Sequence, residues 1–400
     1  MKRILFYAQN NGQVEDVRLM LNDFYNKNYD VSIYDTTNIY HQQIDFTGFH
    51  NVVKGELLLE ASFYRLPIIK RIKSIWQGRK ELRNLVNQFD MLIVACDGAF
   101  ERILINDFRK QKKITVLIVD GIISEFSITL SDLFKHPSDI VVLLKNKLSD
   151  IFKLYVYNAL KTSALSPYLP SKIGMMPLDK ILVMGKHSKR CIEKINKKSA
   201  VLASGLPRLY GKKIVRKKEE NSNVVYVCYF PSAFKWHHFM EEDYNQHADI
   251  SNVCNIIEVI RNETNMDVRF VIKIHPRENH EDYQKYLLKY NFVSLIDNKS
   301  IIDSFESYSL FLSNVSTVIV EGLISSIKVY SLMIHFQYWK YKKSFLSSES
   351  ITKVYSHDEL YNLVLSCVNG VDCTTINESQ NSDLFEKNCS PAEVVKKILD

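Results

Sequence analysis

The sequence predicts an α/β protein with two doubly wound parallel sheets, one in each half of the chain. Short runs of Val, Ile and Leu alternate with amphipathic stretches along most of the chain. This alternation is typical of parallel strands covered by helices on both faces. The length, 400 residues, exceeds one compact core and suits two domains. Only 12 Gly and 9 Pro are present, so most of the chain is available for regular structure.

In the first half, apolar runs of strand length predict strands over 4–8, 30–34, 90–95, 114–119, 139–144 and 180–184. Stretches with helical spacing of apolar residues predict helices over 14–26, 56–88 and 100–110. The pattern breaks at 200–209, and the basic and asparagine-rich segment 211–223 has the composition of a linker. We therefore expect an N-terminal domain over 1–210, a linker over 211–223 and a C-terminal domain over 224–400.

The second half repeats the same alternation. Strands are expected over 224–230, 268–274, 292–296, 310–312 and 328–334, and helices over 250–265, 282–290, 317–327, 357–369 and 390–399. Ser390 before Pro391 predicts an N-cap for the last helix. In folds of this type ligands bind at the carboxyl ends of the strands.

Charge and cysteine content narrow the class of protein. The net charge of +7 is too small for a nucleic-acid-binding protein of this length. Seven scattered Cys without a CxxC pair predict reduced thiols in a cytoplasmic protein, and no apolar run is long enough to span a membrane. The basic and apolar stretch 68–80 predicts either a solvated helix face or a surface that rests on an anionic partner. That partner is either lipid, at the inner face of the cytoplasmic membrane, or an anionic acceptor polymer.

Several common site motifs are missing from the sequence. It contains no GxGxxG after the first strand, no GxxxxGK[ST], no HExxH and no Cys/His cluster. We therefore expect neither a bound dinucleotide cofactor nor a metal ion.

The most informative residues lie in the second half. Lys273, His275, Pro276 and Arg277 end a predicted buried strand, and proline stops the strand there. The adjacent hydroxyls Ser316 and Thr317 follow a later strand and precede a helix that contains Glu321. Hydroxyls at the start of a helix favour phosphate binding. The plainer interpretation is a helix cap and a hydrogen-bonded histidine at a strand end.

This pattern resembles a known family. A KxHP stretch followed by adjacent Ser-Thr is similar to the HP and SS/T motifs of bacterial GT-B sialyltransferases and polysialyltransferases, with related versions in capsular Kdo transferases and CDP-glycerol glycerophosphotransferases. Their third motif, an acidic residue followed by Gly, is matched by Asp120-Gly121. The residue before Asp120 is Val119, where the family usually has a second acid, and Asp97-Gly98 is a competing pair.

The resemblance implies a GT-B-like fold of two Rossmann-like domains that face each other across a cleft. It also implies a metal-independent inverting transfer, in which Asp120 acts as the base and His275 protonates the leaving phosphate. The implied nucleotide-binding residues are Lys273, Pro276, Arg277, Asp303, Ser316, Thr317 and Glu321. The implied acceptor-side residues are Gln9, Asn10, Asn11 and Gly12, in the turn after the first strand, and Gly121.

The implied partners are a nucleotide sugar and a glycan or glycolipid acceptor of lipopolysaccharide or capsule synthesis. A CMP-linked donor, either a nonulosonic acid such as sialic acid or Kdo, is favoured by the order of the three motifs. CDP-glycerol or a UDP-sugar stays open as donor, because a phosphate site does not recognise the base. The rival functions are a GT-B-shaped UDP-sugar 2-epimerase and a scaffold subunit without catalytic activity.

Overall fold

A computed structural model describes residues 1–123, 148, 151–152, 155–169, 173–210, 224–235, 239–275, 278–296, 308–341, 344–375, 383–386 and 389–400. These residues form two compact units. The first contains the described residues up to Tyr210 together with those of Asp383–Asp400, and the second contains the described residues from Val224 to Thr375.

The first unit is built on a seven-stranded parallel sheet. Its strands are β1 (Lys2–Tyr7), β2 (Tyr29–Tyr34), β3 (Asn51–Val53), β4 (Met91–Val94), β5 (Ile114–Ile118), β6 (Lys180–Val183) and β7 (Ala200–Ala203). Their order across the sheet is β3-β2-β1-β4-β5-β6-β7, and every pair is parallel. The order reverses between β1 and β4, which makes that point the topological switch of the sheet.

Residues 155–160 of this unit are helical, and seven further helices have both ends in the described residues. They are α1 (Asn11–Arg18), α2 (Leu21–Asn26), α3 (Thr37–Tyr40), α4 (Ile68–Val86), α5 (Ala99–Lys110), α6 (Lys186–Ile195) and α11 (Pro391–Leu399), among the residues that the structure describes. Both sheet faces are covered, because alternate residues of one strand enter different cores. Leu5 and Tyr7 pack in one hydrophobic cluster, and Ile4 and Phe6 pack in another. The continuous apolar strands in the sequence have this cause.

The second unit has a six-stranded parallel sheet. Its strands are β8 (Val224–Phe230), β9 (Asp267–Lys273), β10 (Val293–Ile296), β11 (Leu310–Ser313), β12 (Tyr330–Leu332) and β13 (Lys353–Val354), in the order β10-β9-β8-β11-β12-β13. The helices described in this unit are α7 (Met240–Thr264), α8 (Gln284–Lys289), α9 (Val318–Ile324) and α10 (His357–Val368). The strand order reverses between β8 and β11.

Several elements differ from the prediction. The helix expected over 14–26 is two helices, α1 and α2, and within 56–88 only α4 and a 3₁₀ turn at Phe63–Arg65 are helical. The segment 200–209 was expected to break the pattern, but its first residues form β7. The strand expected over 139–144 and the linker 211–223 lie outside the described residues.

The end of the chain corrects the predicted domain boundary. The second domain was expected to include everything from 224 to 400, yet α11 belongs to the first unit. Its Val394, Val395 and Ile398 are buried in the core beside β1, and the Lys397 ammonium donates to the Ala203 carbonyl at 2.6 Å. Ser390 does cap this helix, in a capping box with Glu393, as predicted. An amphipathic pattern predicts a helix but does not say which sheet it covers.

Candidate functional site

The second unit brings several predicted residues to the carboxyl edge of its sheet. Lys273 is the last residue of β9 and is buried, and His275 follows two residues later, half-buried. Burial raises the pKa of the Cys228 thiol, and the nearby Lys273 charge opposes that rise. The lysine charge therefore lies inside the edge of the sheet, close to β8.

Ser316 and Thr317 lie half-buried in the connection from β11 to α9. The Val318 amide donates to Ser316 Oγ at 3.4 Å, and the Val320 amide donates to the Thr317 carbonyl at 2.9 Å. The helix that follows is shorter than the predicted 317–327 and has 7 residues. The groups available to bind an anion at this connection are therefore mainly the two hydroxyls, and less the N-terminus of the short helix.

The strand order places these groups on both sides of the switch point. β8 separates β9 from β11, and neighbouring strands lie about 4.8 Å apart, so the two strand ends are about 10 Å apart. Side chains from the two connections can reach one anionic group across that span. His275 and the Ser316-Thr317 pair thus occupy the place where open α/β sheets bind ligands.

The described structure does not test the other predicted nucleotide-binding residues. Glu321 is buried in α9. Pro276, Arg277 and Asp303 lie outside the described residues. The roles of these four residues stay predictions.

A hydrogen-bond network that the sequence did not reveal connects the strand-end loops of the second unit. The buried Gln246 side chain of α7 accepts from the Ser232 amide at 2.6 Å, and Ser232 Oγ donates to the Val315 carbonyl at 3.0 Å. Ser232 follows β8, and Val315 directly precedes Ser316. This network therefore holds the loop after β8 against the predicted hydroxyl pair.

Glu278 extends the network to the loop after β9. It hydrogen-bonds Gln246, and the Tyr283 hydroxyl donates to its carboxylate at 2.5 Å. Burial raises the pKa of Glu278 to about 7, with smaller contributions from the Asp243 and Asp282 charges. A carboxyl that titrates near neutral pH, three residues after His275, suits proton transfer. Its position in the sequence gave no sign of this burial.

A second buried group supports the end of β11. The Asn314 amide donates to the buried Asp249 carboxylate at 2.6 Å and to the Leu332 carbonyl at 2.8 Å, and the Tyr229 hydroxyl donates to the Asn314 side-chain oxygen. His335 Nδ1 lies 2.7 Å from the same carboxylate. These bonds join the ends of β8, β11 and β12 to α7, so the loop that carries Ser316 has a rigid base.

In the first unit, Gln9 lies at the switch point between β1 and β4. Its buried side-chain nitrogen is 2.6 Å from Glu101 Oε1 and 3.2 Å from both the Tyr40 and Tyr64 hydroxyls. Cys96 Sγ is 2.6 Å away. We refer to Gln9, Tyr40, Tyr64, Cys96 and Glu101 as the polar cluster.

Glu101 is the acidic member of the polar cluster, and the sequence gave no reason to select it. The carboxyl is fully buried, and its Oε2 has no hydrogen-bond partner among the described residues. Burial raises its pKa, and the nearby Asp97 charge acts in the same direction. The cluster consists of neutral donors and acceptors around a carboxyl group, which suits hydroxyl groups better than phosphate.

The remaining residues of the turn after β1 have structural contacts. Asn10 caps α1 by accepting from the Gln13 amide at 3.0 Å. The Asn11 side chain donates to the Gln43 carbonyl at 2.9 Å and accepts from the Asp45 amide at 2.8 Å. Gly12 is exposed in α1. An acceptor-side role for these three residues stays a prediction.

Asp120 lies at the end of β5, half-buried, and is followed by the half-buried Gly121. Its carbonyl accepts from the Arg208 guanidinium at 3.2 Å, and that guanidinium forms an ion pair with the buried Asp16. Burial raises the pKa of Asp16 to about 6 in spite of this pairing, and the Asp120 charge contributes to the rise. Asp16, Arg208 and Asp120 therefore form one charged group at the sheet edge.

Asp97, the competing acid, has a different environment. It is fully buried, and its Oδ2 accepts from the Met176 amide at 3.3 Å. Burial raises the pKa of Asp97 to about 6, and the buried Arg102 charge opposes the rise. The Arg102 guanidinium in turn donates to the carbonyls of Asp97 and Ser166 at 2.7 and 2.9 Å. That Asp120 and not Asp97 acts as the base stays a prediction.

Membrane spans and metal-binding clusters are both absent from the part of the chain that the structure describes. None of its helices is long and apolar enough to cross a membrane. No group of three or more His, Cys, Asp and Glu side chains in the same residues could hold a metal ion. The expectation that the protein needs no metal ion stays a prediction. All seven cysteines are free thiols, and only Cys96 is not fully buried.

Comparison with known proteins identifies the fold. No protein-family profile matches the sequence, and no curated protein matches it. Among solved structures, UDP-GlcNAc 2-epimerase from Methanocaldococcus jannaschii has a TM-score of 0.55 at 10% identity, covering 100% of this chain and 99% of that chain. The UDP-GlcNAc 2-epimerase from Neisseria meningitidis bound to UDP-GlcNAc gives 0.54 at 12% identity, covering 100% of both chains. CalG4, the calicheamicin glycosyltransferase, gives 0.45 at 12% identity, with 100% and 98% covered.

The predicted fold class is confirmed. The two doubly wound parallel sheets and the full-length likeness to the epimerases define a GT-B-like α/β protein. Identities this low show the fold alone. The sialyltransferase and Kdo-transferase resemblance therefore stays a prediction.

Proposed function

We propose that this protein is a metal-independent inverting glycosyltransferase. Its donor is a CMP-activated nonulosonic acid such as sialic acid, or CMP-Kdo, and its acceptor is a glycan or glycolipid of lipopolysaccharide or capsule. The observation that carries the proposal is the position of His275 and the Ser316-Thr317 pair, at the ends of strands on both sides of the second unit's switch point. The residues that match the transferase motifs are the same ones that lie there.

The second unit binds the nucleotide in this proposal. The Ser316 and Thr317 hydroxyls donate hydrogen bonds to the phosphate, and Lys273 supplies a positive charge at the base of the site. His275 donates a proton to the phosphate oxygen as the bond to the sugar breaks. Glu321 or Asp303 binds the ribose hydroxyls, and Pro276 and Arg277, which follow His275 in the sequence, complete the nucleotide-binding motif.

The first unit binds the acceptor. Asp120 accepts the proton of the attacking hydroxyl, whose oxygen forms a bond to the anomeric carbon while the electron pair of the old bond leaves with the phosphate. Attack from the side opposite the nucleotide inverts the configuration. Gln9, Asn10, Asn11 and Gly12 in the turn after β1, together with Gly121 after β5, bind the acceptor sugar.

The nucleotide is the first point to test. We expect CMP to raise the melting temperature more than UDP or GDP, because the three-motif order favours a cytidine donor. A ligand at a hundredfold its Kd adds about 2.7 kcal/mol to the stability of the folded state, which is easily measured. His275→Ala should reduce the response, whereas His357→Ala, at an exposed histidine at the start of α10, should leave it intact. Equal shifts with all nucleotides contradict the cytidine assignment, and no shift at all supports the scaffold function.

A second function is favoured by one specific observation. The solved structures that match over the full chain include UDP-GlcNAc 2-epimerases, and such an enzyme needs no acceptor. Conversion of a UDP-sugar in the absence of any glycan supports the epimerase. Release of free nucleotide that depends on an acceptor glycan supports transfer. If the donor is a UDP-sugar or CDP-glycerol, the release of nucleotide also depends on an acceptor glycan, but CMP does not raise the melting temperature more than the other nucleotides.

A further inference from the structure

Helix α4 presents an unusual apolar surface to solvent. Ile68, Ile72 and Trp76 are 67%, 48% and 72% exposed, and Ile69 is 78% exposed. Residues four apart lie above one another on a helix, so Ile68, Ile72 and Trp76 form one stripe with Ile69 beside it. We call these four residues the apolar stripe. A helix on the surface of a globular protein normally presents polar residues on its outer face.

The inner face of α4 is already used for packing. Ile75 and Leu82 are buried in the core, and Gly78 lies against Phe100 so closely that a Cβ there would be 2.6 Å from the ring. The apolar stripe is therefore not a second core face that the described residues of the first unit cover. Contiguous exposed apolar side chains of this size mark an interaction surface.

The charges around the stripe select the partner. Lys73 and Lys80 are exposed beside it and form no ion pair within the described part of the chain, whereas Lys70 pairs with Glu60. Large apolar groups, a tryptophan and flanking lysines are the composition of helices that lie in a membrane interface. A partner with an apolar interior and a negatively charged surface satisfies both features.

We propose that the first turns of α4 dock on an anionic lipid bilayer, with the apolar stripe among the acyl chains and Lys73 and Lys80 at the headgroups. The helix lies on the membrane and does not cross it. Tryptophan is suited to this position, because its ring is apolar and its N–H group needs a polar partner.

The docking surface is joined to the polar cluster by a short stretch of chain. Tyr64 belongs to the 3₁₀ turn that precedes α4, four residues before Ile68, and its hydroxyl is 3.2 Å from the Gln9 side chain. Tyr64 is itself 41% exposed and stacks on Tyr40. A bilayer that contacts the start of α4 therefore lies beside the polar cluster. If the proposed function holds, the acceptor is a glycan whose lipid end stays in the membrane while its sugar reaches the polar cluster.

Sedimentation with vesicles tests the docking without any need for activity. The full-length protein is mixed with vesicles of phosphatidylcholine alone or of phosphatidylcholine with phosphatidylglycerol. We expect binding to the anionic vesicles. Ile69→Ser with Trp76→Ser should abolish it, and Lys73→Gln with Lys80→Gln should weaken it by about 30-fold at low salt, since each base near such a surface contributes about fivefold.

A matched control lies in the second unit. Leu288 is 88% exposed on α8 between the exposed Lys285 and Lys289. The triple variant Leu288→Ser, Lys285→Gln, Lys289→Gln changes the same kinds of side chain and should bind vesicles as the wild type does. All these positions are exposed, so a melting temperature within a few degrees of the wild type confirms that each variant is folded.

Trp76 provides an independent readout. Lipids brominated in the acyl chain should quench part of the tryptophan fluorescence, and Trp76→Phe should remove that quenchable part while it preserves binding.

Failure of the wild type to bind anionic vesicles overturns the proposal, as does equal loss of binding in the control. If the stripe variant instead converts a dimer to a monomer, the surface is an interface between two copies and the membrane proposal is wrong. If the protein responds to nucleotide but does not bind vesicles, the membrane proposal fails while the proposed function stands.

Discussion

Replacing Glu278 by glutamine should remove a pH dependence of stability that the structure places in the second unit. Burial raises the pKa of this carboxyl from its ordinary 4.5 to about 7. A tenfold change in proton affinity corresponds to about 1.4 kcal/mol, so the carboxylate form destabilises the folded state by about 2–3 kcal/mol once the partial exposure of the side chain is allowed for.

The sign follows from proton binding. A raised pKa means that between about pH 4.5 and 7 Glu278 binds more protons in the folded state than in the unfolded state. The contribution of Glu278 to the free energy of unfolding therefore falls as the pH rises through this range and is constant above it. Glutamine keeps an oxygen for the Tyr283 hydroxyl but does not titrate. The stability of Glu278→Gln relative to the wild type should therefore increase with pH.

Urea unfolding at about pH 5, 6, 7 and 8 measures this difference. The buried Asp16 and Asp97, whose pKa values are raised to about 6, affect both proteins equally and cancel in the comparison. Glu281→Gln, at an exposed neighbouring position, is the control. A difference between variant and wild type that is flat with pH, or that falls as the pH rises, would refute the assigned burial of Glu278.

Two further predictions concern the first unit. Asp120→Asn should lower transfer by about 10²–10⁴-fold while the thermal response to nucleotide persists. Asp97→Asn should retain transfer but lose about 1–3 kcal/mol of stability, because it removes one acceptor oxygen and the carboxylate charge beside the buried Arg102. The reverse pattern in activity assays would make Asp97 the base. Gly98→Ala should destabilise the protein by about 1–3 kcal/mol in urea unfolding, because a Cβ there would lie 2.7 Å from Glu101 Oε2 and 2.9 Å from the Tyr64 hydroxyl. Unchanged stability would mean that the polar cluster has room to move.

Local patterns were sufficient to predict the elements that position the second unit's site. The apolar run that becomes β9 ends at His275-Pro276, and the run that becomes β11 ends just before Ser316. Strand length, the stop at proline and the polar residues after it are properties of adjacent residues. They can be read without knowledge of the rest of the chain, and the structure places both groups at one edge of one sheet.

The identity of the buried titratable groups depended on contacts between distant residues. Gln9 and Glu101 are 92 positions apart, and Glu278 meets Gln246 from another element. Whether a carboxylate is exposed or enclosed is decided by what packs over it, so an isolated Glu in an amphipathic stretch gives no sign of a raised pKa.

Two doubly wound α/β halves, the capped last helix and the strand-end positions of His275 and Ser316 could all be predicted from the order of residues alone. That order could not assign the last helix to a sheet, and the fold places Pro391–Leu399 in the first unit. The physical reason is that secondary structure follows from the period of apolar residues along a short segment. Packing partners and strand order depend on which apolar faces cover each other. Those faces belong to segments that are far apart in the chain.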